Sequence, residues 1–227
     1  MSFSDKFIQN FVEGERYLYL LKGLGNTLII TVFALIIGLV LGFLVAVVRS
    51  LHDKTGSLKI LNLICRAYLT VWRGTPTVVQ VLIMYYVIFV SVNNKVLVAV
   101  IAFGLNSAAY VAEIVRGGIM AVNQGQYEAG LSLGADNTRI MFEIIIPQAM
   151  KACLPALSNE SITLLKETSV SGYIGLMDLT KGADIIRSQT YEAMIPLLGC
   201  AFIYLVLVMG LTSLTKRLEK GLRRDER

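Results

Sequence analysis

The sequence predicts an all-α integral membrane protein with five transmembrane helices and a cytoplasmic coupling loop of two short helices. Three observations carry this prediction. Hydrophobic residues make up 55% of the 227, and charged residues only 16%, well below the quarter usual in soluble domains. The apolar residues come in long runs: Gly23 to Val48 holds no charge at all. At about 1.5 Å per residue such a run crosses a hydrocarbon core about 30 Å thick. The alternating ten-residue segments of an outer-membrane barrel are absent. A helix therefore remains as the form that satisfies its own backbone polar groups in lipid.

The first span, 23–48, is longer than the apolar region of a secretory signal and leads into further apolar segments, so it reads as permanent. It repeats a small residue every four positions, at Ala34, Gly38, Gly42 and Ala46. That spacing lets helices approach closely in lipid, and predicts a fixed helix contact whose partner the spacing leaves open. The second span is expected over 74–92, approached by the mixed stretch Leu58–Arg73, and the third over 96–116. The fourth, 149–170, contains Pro155, Ser158, Asn159, Glu160, Lys166 and Glu167, which fits a helix facing a bundle interior or a water-filled cavity. Pro155 is placed to break that helix and free backbone carbonyls. The fifth span is expected over 193–215. Together these form one transmembrane domain over 1–227.

Orientation follows from the distribution of Lys and Arg between alternate loops. Arg49, Lys54, Lys59, Arg116, Arg139, Lys151 and the tail residues Lys216, Arg217, Lys220, Arg223, Arg224 and Arg227 give twelve on one side. Lys6, Arg16, Lys22, Lys95, Lys181 and Arg187 give six on the other. The richer side is cytoplasmic, so the N-terminus lies outside and the C-terminus inside. The net charge of +5 is explained by this tail, and no nucleic-acid recognition motif accompanies it. Cys65, Cys153 and Cys200 are far apart in apolar sequence, and His52 stands alone. Neither a metal site nor a disulfide framework is indicated.

The connector over about 121–147 reads as two short helices. Asn123 is placed to cap the first, and Gly134 to end it with a positive φ. Asp136 or Asn137 is placed to cap the second. A helix this short is unstable alone in water, so a partner surface is expected to supply its missing burial.

The order Glu128-Ala129-Gly130, then Gly134, Ile144 and Pro147 resembles the EAA loop of ABC-importer permeases. Gly130 replaces that pattern's second Ala, and Ile146 its Leu. Ala109-Tyr110-Val111-Ala112-Glu113-Ile114-Val115-Arg116-Gly117-Gly118-Ile119 is similar to the polar amino-acid branch of these permeases. So are Arg73-Gly74-Thr75-Pro76, Leu164-Leu165-Lys166-Glu167-Thr168-Ser169, and Gly23 with Thr27. The resemblance covers about residues 20–215. It implies a permease of the cytoplasmic (inner) membrane that pairs with a second, identical or related permease subunit. Two cytoplasmic ATPase subunits would dock on the loops, at Glu128, Ala129, Gly130, Leu133, Gly134, Ala135, Asp136 and Arg139. An external solute-binding protein would deliver the substrate. No G-x-x-x-x-G-K-[ST] is present, so ATP and Mg belong to the ATPase. This chain is expected to bind no cofactor and to catalyse no reaction.

Ionisable groups at membrane depth are functional candidates. Glu113 and Arg116 lie three apart on one helical face. Glu160, Thr163 and Glu167 form one stripe, and Asn159, Thr163 and Lys166 another. An amino acid needs a cation for its carboxylate and an acid for its ammonium, which nominates Arg116 and Glu160. With Glu113, Glu160 and Glu167 set against Arg116 and Lys166, the balance leans toward cationic amino acids such as arginine, lysine or histidine. A glutamine or glutamate importer is the nearest alternative, and an ATP-independent secondary transporter the more distant one. Arg66 and Arg73, seven apart on one face, are expected at the cytoplasmic headgroup level.

Overall fold

The computed structural model describes residues 2–224; Arg227 of the basic tail lies outside the described residues. Those residues form helices and no strands. A short α1 (Phe3–Phe7) runs on through Ile8–Val12 and Glu13–Glu15, and is followed by α2 (Tyr17–Thr55), α3 (Lys59–Gly74) and α4 (Thr77–Ile83, continued through Met84–Ile88). Then come α5 (Lys95–Ala121), α6 (Gln124–Ser132) and α7 (Asn137–Arg139). The chain ends with α8 (Ile146–Glu167), α9 (Leu179–Thr190) and α10 (Met194–Arg224).

Four helical stretches are long and apolar enough to cross a membrane: Tyr17–Thr55, Lys95–Ala121, Asn137–Ile174 and Met194–Gly221. They contain the first, third, fourth and fifth expected spans. The second expected span, 74–92, holds a helix too short to count with them. The chain breaks between α3 and α4, leaving an apolar helix of only Thr77–Ile88. Pro76 is the cause. It stands at the N-cap of α4 with φ −64° and ψ 137°, where its ring disfavours helical geometry in Thr75 before it. α3 is strongly two-sided. It buries Asn62, Cys65 and Leu69, while Ile60, Leu63, Ile64 and Val71 are exposed.

A second difference concerns the expected pair of short connector helices. Only α6 is separate. α7 passes through a wider π-helical turn, Ile140–Ile145, directly into α8. The apolar run from Ile140 to Ile146 favours continuing the helix into the span over closing it. Pro155 sits inside α8 without breaking it, since a proline costs the helix one hydrogen bond but need not end it where packing holds both sides.

The chain divides into two compact units. One comprises Met1–Ile36, Thr75–Gly104 and Ser161–Ser213. Its apolar core gathers Leu20, Leu179, Ala183, Ile186 and Cys200. Here the start of α2 is keyed to the start of α9: a Cβ at Gly23 would lie 2.3 Å from the Asp178 carbonyl oxygen. The buried Thr27 Oγ1 accepts from the Leu179 amide at 3.1 Å, and Asn26 donates to the Met177 carbonyl at 2.7 Å.

The other unit comprises Ile37–Gly74, Leu105–Glu160 and Leu214–Arg227. Its core holds Ala46, Val111, Val115, Ile119, Ile140, Met141, Ile145, Ala149, Cys153 and Leu157. The small-residue stripe finds its partner here, and that partner is α5. A Cβ at Gly38 would meet Ser107 Oγ at 2.9 Å, and one at Gly42 would meet Val111 at 2.6 Å. All three cysteines are free and buried, and no cluster suited to a metal ion occurs among the described residues.

Candidate functional site

Two features of the second unit carry chemistry: the loop around α6 and an ionic cluster centred on Glu113. The loop owes its shape to local caps. Asn123 accepts from the Gly125 amide at 2.8 Å. Gly134 takes φ +79°, a conformation that glycine adopts without the steric cost other residues carry. Asp136 accepts from the Arg139 amide at 2.8 Å. α6 is then folded back on the start of the next helix. Gly130 is buried against Ile140, where a Cβ would meet Cγ1 at 2.7 Å. The glycine that replaces alanine in the loop pattern is thus required by this close approach.

Of the residues expected to dock a partner, Glu128, Ala129, Leu133, Gly134, Asp136 and Arg139 are exposed and Ala135 is half-buried. Gly130 faces inward and shapes the loop without presenting a contact surface. Leu133 is 87% exposed, and Leu131 and Phe142 are exposed beside it in sequence. Arg139 pairs with Glu143 at 2.9 Å. The loop is also tied to α2: the Lys54 ammonium sits 4.2 Å above the Tyr127 ring, and the Tyr127 hydroxyl donates to Asn137 at 2.6 Å. Those ties border a cavity of about 330 Å³ lined also by Ile119, Met120 and Asn123.

The ionic cluster joins α2, α3 and α5. Glu113 Oε1 receives Arg49 Nη1 at 2.7 Å and Arg73 Nη1 at 3.6 Å. Its Oε2 faces Arg116 Nη2 at 3.5 Å. Arg116 also reaches Asp53 at 3.8 Å. Arg49, Arg66, Arg73, Thr70 and Glu113 line a cavity of about 380 Å³. Three guanidinium groups thus face one carboxylate across that space. The Nε atoms of Arg49 and Arg116 are buried without a hydrogen-bond partner. Arg66 and Arg73, expected at headgroup level, border this cavity, and Arg49 was not anticipated as its third cation.

Glu160 stands apart from that cluster in its bonding. It accepts from Ser107 Oγ at 2.8 Å. Arg116, nominated beside it, has Glu113 and Asp53 as its ion partners among the described residues. Asn159 is exposed, while Thr163 and Glu167 are half-buried and belong to the first unit. Lys166 lines a different cavity there, about 300 Å³, with Thr180, Cys200 and Tyr204.

The model of a family described as binding-protein-dependent transport system inner membrane component matches residues 38–224. The arginine transport system permease protein ArtQ of Bacillus subtilis is 38% identical over 211 residues, covering 92% of this chain and 94% of the relative. The glutamine transport system permease protein GlnP of Escherichia coli is 33% identical, covering 90% of this chain and 93% of the relative. A crystal structure described as an amino acid ABC transporter with histidines superposes with a TM-score of 0.82 at 39% identity, covering 93% of this chain and 98% of that one.

Proposed function

The chain belongs to the family of binding-protein-dependent transport system inner membrane components, and on that premise we propose how it takes part in transport. It is the permease subunit of an ABC importer for amino acids, and the relatives described as arginine and glutamine permeases support this. It spans the cytoplasmic membrane beside a second permease subunit. ATP hydrolysis, with its Mg, is the work of separate ATPase subunits that seat on the α6 loop, and an external binding protein supplies the substrate. The observation carrying this reading is Leu133, 87% exposed on a loop held by the Asn123 and Asp136 caps, with Leu131 also exposed two residues before it. Exposed apolar side chains grouped on one polar loop are the form of a contact awaiting its partner.

For the substrate, the cavity beside Glu113 offers an excess of positive charge, with Arg49, Arg66 and Arg73 set against one carboxylate. That suits the α-carboxylate every amino acid carries. Glu113 itself is neutralised by Arg49, Arg73 and Arg116, so it no longer argues for a cationic substrate. The preference for arginine, lysine or histidine therefore rests on Glu160. Glutamine remains the second reading, favoured by the relatives described as glutamine permeases. A panel of labelled amino acids offered to the reconstituted complex tests both readings. Under the cationic one, Glu160→Gln abolishes arginine or lysine uptake while the ATPase stays bound. Glutamine uptake by the wild-type complex, unchanged in Glu160→Gln, would overturn it.

A further inference from the structure

Residues 2–16 lie outside the stretch matched by the family model, 38–224, and form a distinct piece of the first unit. Phe3–Phe7 and the wider turn Ile8–Val12 make a continuous short helix. Gly14 and Glu15 then take φ +61° and +53°, turning the chain before α2 starts at Tyr17.

One side of this segment is fastened to α9 and α10. Asn10 is fully buried; it donates to the Lys6 carbonyl at 2.8 Å and accepts from Thr190 Oγ1 at 2.8 Å. Lys6 pairs with Glu192 at 2.9 Å. Arg16 donates to the Gln9 carbonyl and to Gln189. Phe11 packs against the core of Leu179, Ala183 and Ile186, and a Cβ at Gly199 would meet its ring at 3.0 Å.

The other side is apolar and open. Phe7, Ile8 and Val12 are 47%, 46% and 56% exposed. On a helix residues 7, 8 and 12 fall within one arc and the polar residues 5, 6, 9, 10 and 13 within the other; Phe11 belongs to the apolar arc in sequence but packs into the core. We propose that residues 3–16 are an interfacial strap: Phe7, Ile8 and Val12 insert at the headgroup–acyl boundary of the leaflet that meets the N-terminal end of α2.

Continuity identifies the occupant as lipid. Past the turn the same kind of surface resumes on α2 at Tyr17, Leu21, Leu28, Ile29, Val32 and Phe33, all exposed, in a span whose most apolar window is only 28% buried. A surface that faces hydrocarbon along α2 leads directly into the apolar side of the strap, at the depth where interfacial helices settle. The headgroup requirement is weak. Lys6 is engaged by Glu192 and Arg16 by Gln189 and Gln9, while Asp5, Glu13 and Glu15 add negative charge. Insertion therefore does not depend on anionic lipid, in contrast to basic amphipathic helices.

Trp72 is the only tryptophan, so replacing it with Phe gives a dark background for a reporter. Phe7→Trp and, independently, Val12→Trp are placed in that background. The complex is purified with an ATPase whose own tryptophans are likewise replaced by phenylalanine, and is reconstituted in phosphatidylcholine vesicles carrying bromine near the glycerol end or near the chain terminus. The strap predicts blue-shifted emission, strong quenching by the shallow bromines, weaker quenching by the deep ones, and little by iodide. Glu13→Trp, on the polar side, gives the opposite pattern. Adding phosphatidylglycerol leaves the readings unchanged. Iodide quenching like that of a water-exposed tryptophan at both Phe7→Trp and Val12→Trp overturns the proposal. So does blue-shifted emission without bromine quenching, which assigns the surface to a second permease subunit.

Discussion

Asp178 caps α9, one oxygen receiving the Lys181 amide at 2.6 Å while the other is buried without a partner. Burial pushes its pKa up to about 6, against the pull of the Lys181 and Gly172 amides. The folded pKa exceeds the unfolded one, about 3.9. Its contribution to stability is therefore full below about pH 4 and is lost as pH rises through about 6. Asp178→Asn keeps the capping acceptor and cannot ionise. Thermal unfolding of the purified complex should show a pH dependence between 4 and 6 in wild type that shrinks in this variant; equal slopes would contradict it. Gly23, against the Asp178 carbonyl, is a harder constraint. Gly23→Ala drives a methyl into backbone, and overpacking of this kind costs about 1–3 kcal/mol, so a lower midpoint and yield are expected. Glycine 23 was legible as part of a motif, but its reason was not, because α9 lies more than 150 residues away. Glu113 was legible in the same way. That Arg49 and Arg73 converge on it depends on how α2 and α3 pack on α5, which no local pattern reveals.

At the scale of elements, the loop was the most legible part. Asn123, Gly134 and Asp136 act where capping chemistry places them, because a cap needs only its own neighbours in sequence. The junction of α7 with α8 was not legible, since the Ile140–Ile146 run serves equally for a short amphipathic helix and for the first turns of a span. Nor was the break at Pro76, which lies just inside a long apolar run. The loop carries two predictions. Leu133→Asp should leave the permease folded and in the membrane but weaken ATPase co-purification. Losing a buried contact anchor costs about 2 kcal/mol, roughly thirtyfold in affinity. Retention at wild-type yield would contradict docking through this side chain. Lys54→Met removes the cation over Tyr127, an interaction of about 0.5–2 kcal/mol. The ATPase should remain bound, while substrate carried per ATP hydrolysed falls. A coupling ratio equal to wild type would show that the tie does not position the loop.

For the whole molecule, composition and hydropathy made the membrane-spanning helical class legible, since lipid admits few alternatives to a helix. The proposal that ATP is hydrolysed on a separate subunit also starts from the sequence, which holds no G-x-x-x-x-G-K-[ST]. The central claim is that transport through this chain is driven by an ATPase acting on the α6 loop. Uptake of labelled amino acid into proteoliposomes tests it most directly. The chain, its partner permease if distinct, the ATPase and the binding protein are reconstituted with ATP inside, outside or absent. ATP on the ATPase side should drive uptake in wild type, uptake should vanish without ATP, and Leu133→Asp should abolish it. Proton-driven uptake by this chain in vesicles lacking both ATPase and ATP, unaffected by Leu133→Asp, would contradict the account.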